Sequence, residues 1–132
     1  VNVSSVAAFF HFPFSVSYGA TKAWINSFTE SVFLELKCLR SPVRIQALCP
    51  GFTVTEFHDV QGVDRGFVPR GFWMSADEVV DASLRGLRQN RLIVIPGWRY
   101  RLLVALAPRL PRGLRHAIAL RYGGRRIARK AG

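Results

Sequence analysis

The sequence predicts an α/β fold built on an open parallel sheet. Three short apolar, β-branched runs, residues 1–4, 43–48 and 92–95, are separated by two stretches of helical periodicity. The order strand–helix–strand–helix–strand implies parallel neighbours joined by right-handed crossovers. The strands are strongly apolar, as central strands buried on both faces are, and they call for further neighbouring strands.

Residues 1–4 read as the end of a strand. Residues 6–16 follow as an apolar loop with Phe9, Phe10, Phe12 and Phe14 around Pro13. The spacing predicts a helix over 17–39, because Ile25, Phe28, Val32 and Leu36 recur at steps of three and four. Ser41-Pro42 ends it, since a residue before proline avoids the helical region. Residues 43–48 alternate as a short strand. Residues 56–74, with Gly62, Gly66, Pro69 and Gly71, read as a long loop, a functional lid or a disordered segment. Ser75-Ala-Asp-Glu78 is a capping box, and the helix it opens runs to about Asn90 with Val80, Leu84 and Leu87 on one face. The last strand, 92–95, is closed by Pro96-Gly97.

The chain has 132 residues, enough for one small domain, and an apolar content of 49%, enough for a core. Cys38 and Cys49 are too few and too far apart for a zinc site or a disulfide framework, so no metal site is expected. They suggest a reducing, cytoplasmic compartment, with both thiols as small core residues. No secretory signal can be read. Charge divides the chain in two. Residues 1–98 carry nine Lys/Arg and all eight acidic residues, whereas residues 99–132 carry ten Lys/Arg and no acid. A nearly neutral body argues against nucleic acid as a partner, which would draw basic residues onto the folded face.

The chemistry-bearing residues lie near the start. Ser5 precedes Tyr18 by thirteen positions, and Tyr18 and Lys22 are four apart, so a helix puts the phenol and the ammonium on one face. A nearby cation favours a phenolate over a phenol. Tyr18 could then exchange a proton with a substrate oxygen that Ser5 holds by a hydrogen bond. Alone, such a pair is an ordinary surface contact and the serines an ordinary strand end. What favours chemistry is their conjunction with a third segment, Cys49-Pro50-Gly51-Phe52-Thr53-Val54-Thr55.

Asn2-Val3-Ser4-Ser5, Tyr18-Gly-Ala-Thr-Lys22 and Pro50-Gly51-Phe52-Thr53-Val54-Thr55 together resemble the short-chain dehydrogenase/reductase family, in its order and at its separations, over roughly residues 1–97. The resemblance implies the C-terminal half of a Rossmann-type fold with a basic helical tail. The family's opening Thr-Gly-x-x-x-Gly-x-Gly turn, which cradles the cofactor pyrophosphate, does not occur here. The one glycine pair, Gly123-Gly124, stands in the basic tail without a preceding strand. The chain also opens in mid-strand, and so reads as the catalytic half of a longer enzyme, inactive without the upstream half. An asparagine that holds a relay water in the family would lie upstream.

Carried over residue by residue, Tyr18 matches the family's acid/base. Lys22 matches the residue that favours its phenolate and hydrogen-bonds the nicotinamide ribose. Ser5 matches the residue that orients and polarises the substrate carbonyl, ahead of its rival Ser4. Asn2 reads as structural, its amide tying neighbouring strand ends. Pro50 and Gly51 would turn the backbone beside the nicotinamide, where the main chain around Thr53 and the Thr55 hydroxyl meet the carboxamide. Thr53 stands where the family more often has Val or Ile. The implied cofactor is NAD(P)(H), with NADP(H) placed slightly ahead; the residues that discriminate follow the family's second strand.

The implied activity is hydride transfer between a nicotinamide cofactor and a carbonyl or secondary alcohol, within lipid metabolism if the substrate is lipophilic. The alternative is a non-catalytic, interaction-type protein derived from this family. Phe9, Phe10, Phe12, Phe14, Phe57, Phe67, Phe72 and Trp73 suggest a lipophilic substrate, or else core and dimer contacts. Family members commonly form dimers or tetramers; Trp24, Phe28 and Phe33 suit that contact or the core. His11 and His58 have no evident partner, and no Gly-x-Ser-x-Gly turn points to a hydrolase. In the tail, Leu102, Leu103, Leu106 and Leu110, then Leu114, Ile118 and Leu120, alternate with arginines, and Pro108 and Pro111 split two amphipathic pieces. Neither approaches the ~20 apolar residues that span a bilayer. They read as interfacial helices on an anionic membrane surface, as a solvated tail, or as helices packed over the sheet edge.

Overall fold

The structure is a computed structural model that describes residues 1–55 and 68–130, apart from the side chains of residue 122 and residues 124–130. Three parallel strands, β1 (Asn2–Val3), β2 (Ala47–Leu48) and β3 (Ile93–Val94), form one sheet in the order β1-β2-β3. Asn2 pairs with Ala47 and Val3 with Leu48, while Ala47 and Leu48 pair with Ile93 and Val94. The ladder continues beyond the regular strands, with Ser4 N–H donating to the Leu48 carbonyl (2.7 Å), Val6 N–H to that of Pro50 (3.0 Å) and Cys49 N–H to that of Val94 (2.8 Å). The α/β class and the parallel sheet are those expected. The second strand starts later than residue 43, because sheet pairing begins at Gln46, whose carbonyl accepts from Asn2 N–H (2.8 Å). Val3, expected on a strand buried on both faces, is 56% exposed on the outer strand.

Between β1 and β2 run a single 3-10 turn (Val6–Phe9) and the helix α1 (Val16–Cys38). Helix α1 stops where Arg40 turns into the left-handed region (φ 50°), letting Arg40 and Ser41 N–H donate to the Lys37 and Leu36 carbonyls. Helix α2 (Ala76–Arg88) ends the same way at Asn90 (φ 54°). It starts with the expected capping box: Ser75 Oγ accepts from Glu78 N–H (3.1 Å), and a Glu78 carboxylate oxygen accepts from Ser75 N–H (2.7 Å).

The core gathers Leu48, Val79 and Val94, with Met74 and Ala82 against them. The face of α2 that meets the sheet is not the expected Val80–Leu84 stripe, which is about half exposed; it is Val79, Ser83 and Gly86. Small residues win because the helix lies so close. A Cβ on Gly86 would come 2.3 Å from Val94 Cγ2. The approach encloses Gln46 completely, and its amide is satisfied by Ser83, whose hydroxyl donates to Gln46 Oε1 (2.8 Å) while Nε2 donates to the Ser83 carbonyl (3.2 Å). In α1, too, a polar residue takes the innermost place. Thr29 is fully buried, and Phe28, expected on the core face, is 47% exposed and stacked on Trp24. Cys49 is buried, but Cys38, at the last position of α1, is exposed rather than part of the core.

The tail forms two helices, α3 (Trp98–Leu106) and α4 (Arg112–Lys130), separated by a turn at Ala107–Arg109 that holds Pro108. They fold back onto the body. Tyr100 in α3 is buried, and Gly123 in α4 lies against Pro13, where an added Cβ would come within 2.9 Å of the proline ring. That contact gives one half of the Gly123-Gly124 pair a packing role.

Candidate active site

In an open parallel sheet, ligands bind beyond the C-terminal ends of the strands. β1 delivers Ser4 and Ser5 to that edge, β2 delivers Cys49, Pro50 and Gly51, and the first turns of α1 carry Tyr18 and Lys22 beside them. Ser4 and Ser5 are both buried and have different partners. Ser4 Oγ donates to the Lys22 carbonyl (2.9 Å), pinning β1 to α1. Ser5 Oγ caps the 3-10 turn by accepting from Ala7 N–H (3.1 Å) and directs its hydrogen to the Pro50 carbonyl at a long 3.5 Å. The Ser5 hydroxyl is therefore held on its acceptor side, with a donor function weakly engaged.

The Lys22 ammonium donates to the Val3 carbonyl (2.9 Å) and lies 5.6 Å from the centre of the Tyr18 ring. The i, i+4 spacing thus puts cation and phenol side by side, as read from the sequence. Tyr18 is 45% exposed, and its hydroxyl has no hydrogen-bond partner among the described residues. Asn2 ties the strand to the helix rather than to another strand: its amide donates to Thr29 Oγ1 (3.0 Å), which donates on to the Ile25 carbonyl (2.7 Å).

Residues 50–55 form the opposite wall. Thr53 makes a parallel bridge with Met74, built from Met74 N–H to the Phe52 carbonyl (3.0 Å) and Val54 N–H to the Met74 carbonyl (2.8 Å). In such a bridge the N–H and C=O of Thr53 itself point the other way, and among the described residues neither has a partner. One residue thus offers an amide donor and an amide acceptor side by side, matching the two functions of a carboxamide. Its hydroxyl donates to the Gly51 carbonyl (3.2 Å), and Thr55 stands half-buried at the end of the segment.

Two residues absent from the sequence reading help build the site. Asn26, on the same face of α1 as Tyr18 and Lys22, accepts from the Cys49 thiol (Sγ–Oδ1 3.3 Å). Burial pushes the Cys49 thiol up from its ordinary value, against the opposing pull of hydrogen bonds to Ser4 and Asn26 and of the Lys22 charge. Tyr100 reaches in from the tail to donate to the Phe72 carbonyl (2.7 Å) and accept from Phe52 N–H (3.0 Å). For Asn26 the signal was its place four residues after Lys22; Tyr100 had none beyond being an aromatic among arginines.

Of the eight aromatics expected around a pocket, Phe12 (40%) and Phe14 (64%) are exposed. Phe9 and Phe10 are half-buried. Phe72 and Trp73 pack into the wall against Tyr100 and Phe52. Phe57, His58 and Phe67 lie outside the described residues. Among the described residues no group of three His, Cys, Asp or Glu side chains could hold a metal ion.

Comparison with known proteins places this geometry. The short chain dehydrogenase family model matches residues 1–65. An uncharacterized oxidoreductase of Myxococcus xanthus is 28% identical over 121 residues, which is 92% of this chain and 45% of that protein. Among solved structures, a short-chain dehydrogenase from Sphingobium yanoikuyae in complex with NADPH is 34% identical with a TM-score of 0.64, over 81% of this chain and 42% of the other. The bulky-bulky ketone specific alcohol dehydrogenase from Comamonas testosteroni is 26% identical with a TM-score of 0.53, over 84% and 42%. The chain therefore spans less than half the length of the relatives it matches.

Proposed function

The chain belongs to the short-chain dehydrogenase family, and from that premise we propose that it supplies the catalytic half of an NAD(P)-dependent oxidoreductase that interconverts a carbonyl and a secondary alcohol. The observation that carries the proposal is the convergence of Ser5, Tyr18 and Lys22 with the open Thr53 peptide at one edge of the sheet. The residues present fit a nicotinamide. Thr53 N–H and C=O would complement its carboxamide, Thr55 would add a hydroxyl, Pro50 and Gly51 would set the turn, and Lys22 and Tyr18 would hold the ribose. The cofactor, when bound, supplies or accepts the hydride.

This chain's own part is proton chemistry and orientation. Ser5 swings its hydroxyl hydrogen from the distant Pro50 carbonyl to the substrate oxygen, while Ala7 N–H keeps Oγ in place. Tyr18, half-exposed and with no hydrogen-bond partner among the described residues, gives its proton to that oxygen as negative charge develops on it, and takes it back in the oxidising direction. The Lys22 ammonium, 5.6 Å from the centre of the ring, lies beside the negative charge left behind. In the complete enzyme, Tyr18→Phe lowers turnover by about 10²–10⁴-fold, the usual contribution of general acid–base catalysis, with cofactor affinity nearly unchanged. Normal turnover in that variant would refute the assignment.

The substrate we propose is lipophilic. Phe12 and Phe14 are exposed on the segment between Ser5 and α1, and the Comamonas relative is a dehydrogenase specific for bulky-bulky ketones. NADP(H) is placed ahead of NAD(H) because the Sphingobium relative is an NADPH complex. The stacked, outward Trp24–Phe28 pair suits a contact between copies of the complete enzyme.

For the tail we propose peripheral contact with an anionic membrane from the cytoplasmic side. Trp98, Leu102 and Leu106 on α3, and Leu114 and Ile118 on α4, recur at four-residue steps and are exposed, among arginines and without a single acid. No helix among the described residues is long and apolar enough to cross a membrane.

A further inference from the structure

We infer that Tyr100 is a positioning residue for the cofactor-facing segment 50–55, so that part of the basic tail is built into the site. The inference rests on the reading that this segment faces the nicotinamide.

Gly51, Phe52 and Phe72 all meet this one side chain, which is 5% exposed. Its ring occupies the space that any residue but glycine would fill at position 51: a Cβ there would lie 2.0–2.4 Å from ring atoms of Tyr100. Its hydroxyl accepts from Phe52 N–H (3.0 Å) and donates to the Phe72 carbonyl (2.7 Å). The ring of Phe72 meets it edge-on at 5.6 Å.

The consequence follows along the backbone. The peptides on either side of Thr53 are held by Met74, through the Phe52 carbonyl and Val54 N–H. The preceding peptide, between Gly51 and Phe52, is held at its N–H by Tyr100 and at its carbonyl by the Thr53 hydroxyl (3.2 Å). Glycine at 51 leaves that peptide the freedom to rotate, and the phenol removes it. The direction of the Thr53 N–H and C=O therefore depends on a residue 47 positions later, which stands between Arg99 and Arg101 in the tail.

The test is Tyr100→Phe in the complete enzyme, which keeps the ring against Gly51 and removes only the hydroxyl. Hydrogen exchange at the Phe52 amide is read first, and steady-state constants second. The expected result is roughly tenfold faster Phe52 exchange and a cofactor KM raised about five- to tenfold, matching the loss of one hydrogen bond to the loop, with the KM for the carbonyl substrate within about twofold. Unchanged Phe52 exchange would overturn the clamp. Faster exchange with an unchanged cofactor KM, or a parallel rise in both KM values with a lower melting temperature, would reduce Tyr100 to a packing residue. The exchange readout needs no turnover, so it stands even if Tyr18→Phe should show that the acid/base reading is wrong.

Discussion

The body and the tail differ in what they bury. Among the described residues of the body, five buried ones are polar, Ser4, Ser5, Thr29, Gln46 and Ser83, and each is hydrogen-bonded to a neighbour that it fixes in place. In the tail, large apolar side chains lie outside, from Trp98 and Leu102 to Ile118 and Leu120, and the buried Tyr100 holds the body's loop. Buried polar groups specify geometry because an unmet one is costly. Exposed apolar groups mark a surface that awaits cover. The comparison teaches that net charge describes what a region shows to solvent and says little about what it gives to the interior.

The contrast can be broken at several points. The largest effect on stability is expected where tail and body touch without slack. Gly51→Ala drives a methyl group into the Tyr100 ring, beside backbone that cannot yield, and should cost about 1–3 kcal/mol, as overpacked cores do. Thermal unfolding measures it, and an unchanged melting temperature would mean that Tyr100 does not sit on Gly51. Within the body, Ser83→Ala strands the buried Gln46 Oε1, at a cost of about 1–3 kcal/mol by denaturant titration. A neutral result would show that the amide finds another partner.

A smaller effect concerns the thiols. Burial raises the Cys49 thiol above its unfolded value, so the folded chain holds that proton at a pH where the unfolded chain releases it. Stability should therefore fall as pH rises past the ordinary thiol range, and Cys49→Ala should flatten that fall. In the native protein a thiol reagent should label the exposed Cys38 at once and Cys49 only on unfolding. On the tail, the paired change Leu114→Glu with Ile118→Glu should move stability by no more than about 0.5 kcal/mol, since both side chains are exposed. The same variant should lose binding to vesicles of anionic lipid, and retained binding would remove the membrane proposal.

Much of the candidate site's geometry was legible because it is local in sequence. Tyr18 and Lys22 are brought together by helical spacing alone, and Ser5 and residues 50–55 by the ends of adjacent parallel strands. The α2 face was misread because its periodic leucine and valine point outward, while the close approach to Val94 and Gln46 demanded Ser83 and Gly86. Periodicity reports an apolar stripe; it does not say whether that stripe or a row of small residues meets the sheet. Cys38 was placed inside on residue type, yet a position at the last turn of a helix decides exposure first. Tyr100 was invisible for a third reason. Its partners Gly51, Phe52 and Phe72 are 28 to 49 positions away, and no local pattern encodes a contact of that range.

The central claim is that the Ser5–Tyr18–Lys22 cluster and residues 50–55 converge on one nicotinamide. Backbone amide shifts of the complete enzyme, recorded with and without NADPH, test it most directly. The account predicts that the largest changes fall on Gly51, Thr53, Thr55, Ser5 and Lys22, with Phe52 following through its bond to Tyr100. Shifts that leave residues 50–55 and Lys22 unmoved while NADPH binds elsewhere would contradict it.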